Sequence, residues 1–383
     1  MKIGIDGIPL SQPKTGVGHY TFEIASGVAA AYPNDEFQVV SQIPFAPGAI
    51  SLELKNLEFI HQPVNEVTKH WWTIGLPRYI ARHSIDLFHG TNYDVPVWGG
   101  VPTVLTIHDL SLLLFPETHE ERRVKRARRR LPVMARLATR IIVPTESVKH
   151  EVEAHFPIAL GKVVVVHEAP RKCFVPMRKS IAKQTTARLG VEDLFILYVG
   201  AIEPRKNLKT LMKAVEEVYR VTEHRPQLVI AGPTGWKSND LFSYVDQSPI
   251  KDRLLLTGYL GDEDLRALYS ACTVMNYPAL YEGAGLPPLE AMACGAPVIT
   301  SDARAVVEMV ADGALSVAAT DHKALANAIV ELLTDSRRRE ELSQRGLRRS
   351  AQFTWERAAT STYQTYLDAL KQPRKSLSKR SSG

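Results

Sequence analysis

The chain has 383 residues, long for one domain and comfortable for two. Its 45% hydrophobic and 23% charged content is that of a globular protein with real cores, which argues against a disordered or fibrous chain. The net charge is +6, of which five charges sit in the last thirteen residues, KQPRKSLSKRSSG, leaving about +1 for the rest and no overall polycation.

Three cysteines, Cys173, Cys272 and Cys294, form no CxxC pair, which argues against a disulfide framework or zinc knuckle and suits a reducing compartment. The N-terminus, MKIGIDGIPL, runs straight into a strand pattern, so no signal peptide is expected. No run of about 18 apolar residues predicts a membrane span.

In chain order, strand-like runs of the first half are KIGID, FQVVSQ, LEFIH, DLFHG, TVLTIHD, RIIVPT and KVVVVHE. Helical patterns such as HYTFEIASGVAAAY and SVKHEVEAHF separate several of them. This alternation predicts a parallel sheet covered on both faces. Near Pro170 the pattern lapses: RKCFVPMRKSIAKQ is basic, interrupted by proline, and reads as a connector over 173–190. The alternation restarts with FILYVGAI, a helix from about Asn207, QLVIAGP, RLLLTGY, the helix EDLRALYSAC, TVMNYP, a helix beginning at Leu286 or Pro287, and PVITS. Two long helical patterns follow, DHKALANAIVELLTDSRRREELSQRGLRRSAQF and WERAATSTYQTYLDALK. The expected division is a domain over 1–172, a linker over 173–190, a domain over 191–354, and a polar, basic, disordered tail over 372–383. The fold class is α/β, with two doubly wound domains. Two such domains facing one another make a cleft at the carboxyl ends of their strands, where ligands bind.

Several segments carry chemistry. KTGVGHYTFEI follows the first strand and opens a helix; Gly16 and Gly18 suit either an anion at the helix N-terminus or a plain tight turn. Glu203-Pro204-Arg205-Lys206 follows the strand ending at Gly200, with Asn207 as a helix N-cap. Its adjacent cations suit phosphate oxygens, or else a solvated surface pair. In YEGAGLPPLEAMACGAPVITS, Pro287 and Pro288 have no N–H to donate, so an anion would be held by the amides of Gly283, Ala284, Gly285 and Leu286. Glu282 and Glu290 flank that pocket, eight residues apart. Such a pair spans about 12 Å on a continuous helix, against roughly 5–9.5 Å for glycosidase carboxyls. A bend would shorten the gap, so spacing leaves open an acid/base pair or a capping Glu290 beside a solvated Glu282. His108 ends the strand TVLTIHD; it is either structural or part of the cleft, and no further ligands at metal spacing accompany it. No P-loop, HExxH or GxSxG motif occurs.

Jointly, VGAIEPRKN, TGYLGDEDLRALYSAC and YEGAGLPPLEAMACGAPVITS resemble the donor domain of family 4 glycosyltransferases, enzymes of the GT-B fold. GVGHYTFEI and TIHDL resemble its acceptor domain, and RGLRRSAQFTWERAA its helical end, so the resemblance runs to about residue 370. It implies glycosyl transfer from a nucleotide sugar with retention of configuration and no cofactor or required metal. It also implies that Arg205, Lys206, the amides from Gly283 to Leu286 and the Gly16 loop hold the diphosphate. Glu282 would contact the donor sugar, Glu290 the ribose, His108 the reacting side of the sugar, and backbone near Tyr259 and Leu260 the base. The last helix, about 355–371, would cross back onto the first domain. Ala284 stands where a bulky aromatic is frequent, and Val307 replaces a common proline, so no role is carried onto Glu308. An arginine directly after Gly200, found in some relatives, is absent; Arg205 takes its place.

The expected reaction is hexosyl transfer, with mannose from GDP-mannose favoured, onto a glycan or lipid-linked oligosaccharide acceptor. The alternatives are a UDP-sugar-dependent hexosyltransferase of the same fold and a catalytically silent glycan-binding or scaffold module. The basic segment 121–140 reads as a solvated amphipathic helix or, with the tail, as a contact to anionic lipid at about 1 kcal/mol per basic residue. A cytoplasmic enzyme, peripheral on the inner face of the membrane, fits that second reading. Nucleic acid is not expected, because no basic platform is interleaved with aromatics.

Overall fold

The computed structural model describes residues 1–49 and 54–372; the expected disordered tail lies outside the described residues from position 373 on. Contacts divide the chain into two compact units, one of Met1–Leu110, Arg126–Glu168 and Trp355–Gly383, the other of Ser111–Lys125 and Ala169–Thr354.

The first unit carries β1 (Lys2–Asp6), β2 (Glu36–Ser41), β3 (Leu57–His61), β4 (Leu87–Gly90), β5 (Thr103–Thr106), β6 (Arg140–Val143) and β7 (Val163–Val165). They pair in parallel in the order β3-β2-β1-β4-β5-β6-β7, with Ile5 level with Val39 and His89. The central strands are buried along their length, as expected for short apolar runs in a sheet covered on both faces. Among the helices, α1 (Gly16–Ala31) turns Tyr20, Ile24, Ala25 and Val28 inward at helical spacing. The chain then forms α2 (Leu76–Arg82) and α5 (Glu146–His155) in this unit, the latter capped by Thr145, whose hydroxyl accepts from the Val148 amide at 3.3 Å; α3 (Ser111–Leu114) falls in the second unit, and α4 (Glu121–Leu137) starts there and enters the first at Arg126.

The second unit repeats the plan. Its strands β8 (Phe195–Val199), β9 (Gln227–Ala231), β10 (Leu254–Gly258), β11 (Val274–Tyr277), β12 (Val298–Ser301) and β13 (Leu315–Val317) are all parallel, in the order β10-β9-β8-β11-β12-β13. Its helices are α6 (Lys179–Arg188), α7 (Leu208–Val221), α8 (Asn239–Gln247), α9 (Asp262–Ala271), α10 (Leu286–Ala293), α11 (Arg304–Val310), α12 (His322–Thr334) and α13 (Ser336–Ser350). A single apolar cluster joins the strands to α7, α10 and α12.

Four features differ from the sequence expectations. The stretch 173–190 contains α6, which buries Ala182, Thr185 and Thr186 and packs on α9, so it is part of the second unit. The first closing helical pattern breaks at Asp335, whose carboxylate accepts from the Arg338 amide at 2.9 Å and starts α13. Asn207 sits at the N-cap of α7 with φ 58°, but its side chain caps no amide; Nδ2 donates to the carbonyls of Pro278 (3.0 Å) and Ala319 (2.7 Å). Finally, Ser111–Lys125 groups with the second unit. Phe115 packs 5.1 Å from Tyr281, and Trp236 Nε1 and Lys237 Nζ donate to the carbonyls of Thr118 (2.8 Å) and Glu117 (2.7 Å).

The last helix, α14 (Trp355–Leu370), belongs to the first unit and packs along α1. Tyr363 stacks on Tyr32 at 3.4 Å, and the Tyr366 hydroxyl bonds His89 Nδ1 at 2.8 Å. Among the described residues, no helix is long and apolar enough to cross a membrane.

Candidate active site

In the second sheet, β8 and β11 are neighbours, while the chain runs outward from β8 to β9 and from β11 to β12. That reversal is the topological switch point, where doubly wound sheets bind ligands. The loops leaving these two strands, residues 200–207 and 278–285, carry the buried charged groups Glu203, Arg205 and Glu282 and the half-buried Lys206.

Arg205 reaches three partners. Nη2 donates to Glu203 Oε1 at 2.8 Å, and Nη1 donates to the Tyr281 carbonyl at 2.7 Å and lies 2.9 Å from Glu282 Oε1. Lys206 Nζ bonds the same Glu282 oxygen and donates to the Tyr277 hydroxyl at 2.9 Å. The Leu280 amide donates to the Arg205 carbonyl at 2.9 Å, which ties the two loops together. Two carboxylates and two cations thus form a balanced buried cluster. Burial pushes the Glu282 carboxyl up, but the adjacent Arg205 and Lys206 charges more than offset this and hold it down at about 2. Glu203 moves the other way, raised by burial despite the Arg205 charge.

Glu290 has different partners. It lies in the second turn of α10, buried, with Oε1 accepting from Arg171 Nε at 2.9 Å and Oε2 from the Tyr269 hydroxyl at 3.3 Å. Arg171 also bonds Asp262 Oδ1 through Nη1 at 2.5 Å and lies 4.3 Å over the Phe174 ring. Burial raises the Glu290 carboxyl above its usual range, and Arg171 offsets part of that. The structure therefore brings Glu282 together with Arg205 and Lys206 and gives Glu290 to Arg171. Neither glutamate is solvated, and Glu290 does not cap its own helix.

The segment between the glutamates is buried from Tyr281 through Gly285. Gly285 is the N-cap of α10 with φ 81°, a left-handed conformation that a side chain would strain, and a Cβ there would also meet Val306 at 3.1 Å. Pro287 and Pro288 occupy the first turn, so the amides near its start are those of Gly283, Ala284, Gly285 and Leu286. Tyr259 and Leu260 lie between β10 and α9; Tyr259 is exposed, and Leu260 packs against the core.

Two expected residues belong to the first unit. Gly16 opens α1 with nothing near its Cβ position, whereas a Cβ on Gly18 would lie 3.1 Å from the Pro9 carbonyl. Close packing therefore explains Gly18, and Gly16 leaves the helix start uncovered. His108, just past β5, is largely buried; Nε2 lies 2.8 Å from the Thr91 carbonyl and Nδ1 3.4 Å from Glu168 Oε1.

Sequence reasoning missed Arg171, Tyr277 and Glu168 and gave Glu203 no role. For Glu203 a signal existed: an acid two residues before a buried-loop arginine is placed to orient it. Arg171 sits in a stretch without periodicity and carries no such signal. Among the described residues, no three His, Cys, Asp or Glu side chains converge as a metal site.

Comparisons with known proteins agree with this architecture. The family model described as "Glycosyltransferase Family 4" matches residues 15–169, and that described as "Glycosyl transferases group 1" matches 182–349. O-antigen chain mannosyltransferase B from Escherichia coli is 30% identical over 383 residues, 96% of this chain and 99% of that protein. Among solved structures, sucrose-phosphate synthase from Thermosynechococcus elongatus superposes with TM-score 0.77 at 22% identity, covering 96% of this chain and 98% of its own. HepE from Anabaena, solved with UDP-glucose, superposes with TM-score 0.75 at 18% identity, covering 96% and 100%. Strand order, switch-point cluster and these likenesses coincide: the chain belongs to glycosyltransferase family 4 and is a glycosyltransferase of the GT-B fold.

Proposed function

We propose that the protein transfers mannose from GDP-mannose to a glycan or lipid-linked oligosaccharide with retention of anomeric configuration. The observation that carries the reading is Glu282, ionised and held between Arg205 and Lys206 at the switch point. A carboxylate fixed in this way accepts hydrogen bonds from sugar hydroxyls, and the two cations stabilise the charge that develops on a departing diphosphate. One positioned donor to developing charge is worth about 2.7–4 kcal/mol. Arg205 and Lys206, with the amides from Gly283 to Leu286, supply that stabilisation without calling on a metal ion. Glu290 holds the ribose, and backbone at Tyr259 and Leu260 reads the base. The mannosyl assignment follows the name of the Escherichia coli relative.

A UDP-sugar donor is the second reading. Its support is HepE, solved with UDP-glucose, whose 18% identity bears on fold alone. A lipid-linked acceptor would be met at the cytoplasmic face of a membrane. Support comes from α4, which exposes Arg122, Arg123, Lys125, Arg126, Arg128, Arg129 and Arg136 while burying Val124, Ala127, Leu131 and Met134. That face suits anionic lipid.

A thermal-shift panel of GDP, UDP, ADP and their common sugars tests the donor. A ligand at 100 times its dissociation constant stabilises by about 2.7 kcal/mol, so GDP and GDP-mannose should raise the melting temperature by several degrees. A shift with UDP-sugars and none with GDP-mannose would overturn the assignment in favour of the second reading.

A further inference from the structure

Two histidines stand on adjacent strands of the first unit, His89 in β4 and His108 just beyond β5. Their surroundings drive them to opposite charge states. His89 is fully buried between two hydroxyls, Thr106 Oγ1 at 2.8 Å from Nε2 and Tyr366 Oη at 2.8 Å from Nδ1. A hydroxyl donates or accepts, so either neutral tautomer is satisfied there. Burial, aided by the nearby His108, pushes His89 down to about 3.

His108 has no such freedom. Nε2 faces the Thr91 carbonyl at 2.8 Å, an oxygen that only accepts. Nδ1 faces Glu168 Oε1, a carboxyl oxygen, at 3.4 Å. A ring with acceptor oxygens at both nitrogens is favoured with hydrogens on both, as an imidazolium. Burial pulls His108 down, but the Glu168 bond and charge and the Thr91 carbonyl outweigh it, so the group is raised. The remaining neighbours do not reverse this. Tyr20 meets the ring edge-on at 4.9 Å, Tyr93 lies at 5.8 Å, Asp109 adds negative charge, and His89 is neutral. Glu168 is itself well placed. The Val166 amide donates to the Val143 carbonyl at 2.9 Å, and His167 Nδ1 bonds the Pro144 carbonyl at 2.9 Å, so the chain beyond β7 stays on the sheet edge.

We propose that Glu168 is a positioning residue for His108, fixing the ring's orientation and keeping it a doubly protonated cation rather than a base. At the sugar, His108 then acts as a hydrogen-bond donor and a fixed positive charge, and does not take a proton from an acceptor hydroxyl. The inference rests on the family resemblance, which implies His108 at the reacting side of the sugar, and places Glu168 behind that ring.

The test is a nitrogen-15 NMR titration of the full-length protein, with the His108 signals identified by their loss in His108→Gln. In wild type the His108 midpoint should lie above the ordinary histidine range, with both nitrogens protonated below it. In Glu168→Gln the midpoint should move down; in Glu168→Asp, which keeps a shorter carboxylate, it should lie between the two. Turnover in Glu168→Gln should fall about tenfold, with KM for the nucleotide sugar little changed and the basic limb of the turnover profile moved to lower pH. A midpoint equal in wild type and Glu168→Gln would overturn the proposal. Should Glu168→Gln fail to fold, an unmoved midpoint in Glu168→Asp would do the same. Lack of transfer from every nucleotide sugar would remove the glycosyl-transfer reading yet leave the midpoint comparison intact, so the two failures are distinguishable.

Discussion

Glu282 and Glu290 are the same residue type eight positions apart, yet their neighbours hold them differently. Two cations hold Glu282 at about 2, whereas Glu290 has one arginine and stays above the usual carboxylate range. Burial opposes ionisation at both, so the count of adjacent cations decides. The division of labour proposed for them is measurable. Glu282→Ala should lower turnover by about 10²–10³-fold, the scale for losing one positioned electrostatic group. It should leave GDP affinity within a few-fold. Glu290→Ala should weaken GDP binding by about tenfold, the scale of a lost hydrogen bond to a charged group. Calorimetry with free GDP, beside steady-state turnover, separates the two, and equal effects on both quantities would reject the division. The pair was visible in the sequence as a spacing, and Arg205 and Lys206 as a dipeptide. Arg171 was not, because it lies 119 positions before Glu290 in a stretch without periodicity.

Among elements, strands were the most legible, because buried parallel strands are short runs of β-branched and aromatic residues that stand out from amphipathic helices. The elements that escaped carry weaker signals. β13 has three residues, α8 buries none fully, and α6 hides behind the prolines and cations before it. Asp335 was overlooked because the apolar period continues across it, and its capping bond shows only in three dimensions. One strand position contradicts its surroundings. Asn276, in β11, is fully buried, and neither Oδ1 nor Nδ2 has a hydrogen-bond partner among the described residues. Alternation along the strand points it to the face opposite Tyr277, whose hydroxyl bonds Lys206. An unsatisfied buried polar group costs about 1–3 kcal/mol. Asn276→Val should therefore stabilise the protein by about that amount and raise its melting temperature by roughly 2–4 °C per kcal/mol. Thermal denaturation checks this, and a lower melting temperature would show that the amide is satisfied in solution.

At the level of the whole molecule, the sequence showed two successive α/β units because the alternation of elements stops near Pro170 and restarts at Phe195. The exact assignment of segments to units was less legible. Ser111–Lys125 joins the second unit through contacts of Phe115, Glu117 and Thr118, none of which forms a motif. α14 joins the first unit, as the family resemblance implied, through Tyr363 and Tyr366, which by themselves read as an ordinary helical stripe. The chemistry proposed for the molecule makes one demand that neither binding nor stability data reach: the new bond must keep the configuration of the donor. Incubation of the purified protein with GDP-α-mannose and a mannose-terminated acceptor, followed by proton NMR of the anomeric region, tests this directly. The account predicts release of GDP in step with an α-linked mannosyl product; a β-linked product, or no product while a UDP-sugar is consumed, would contradict it.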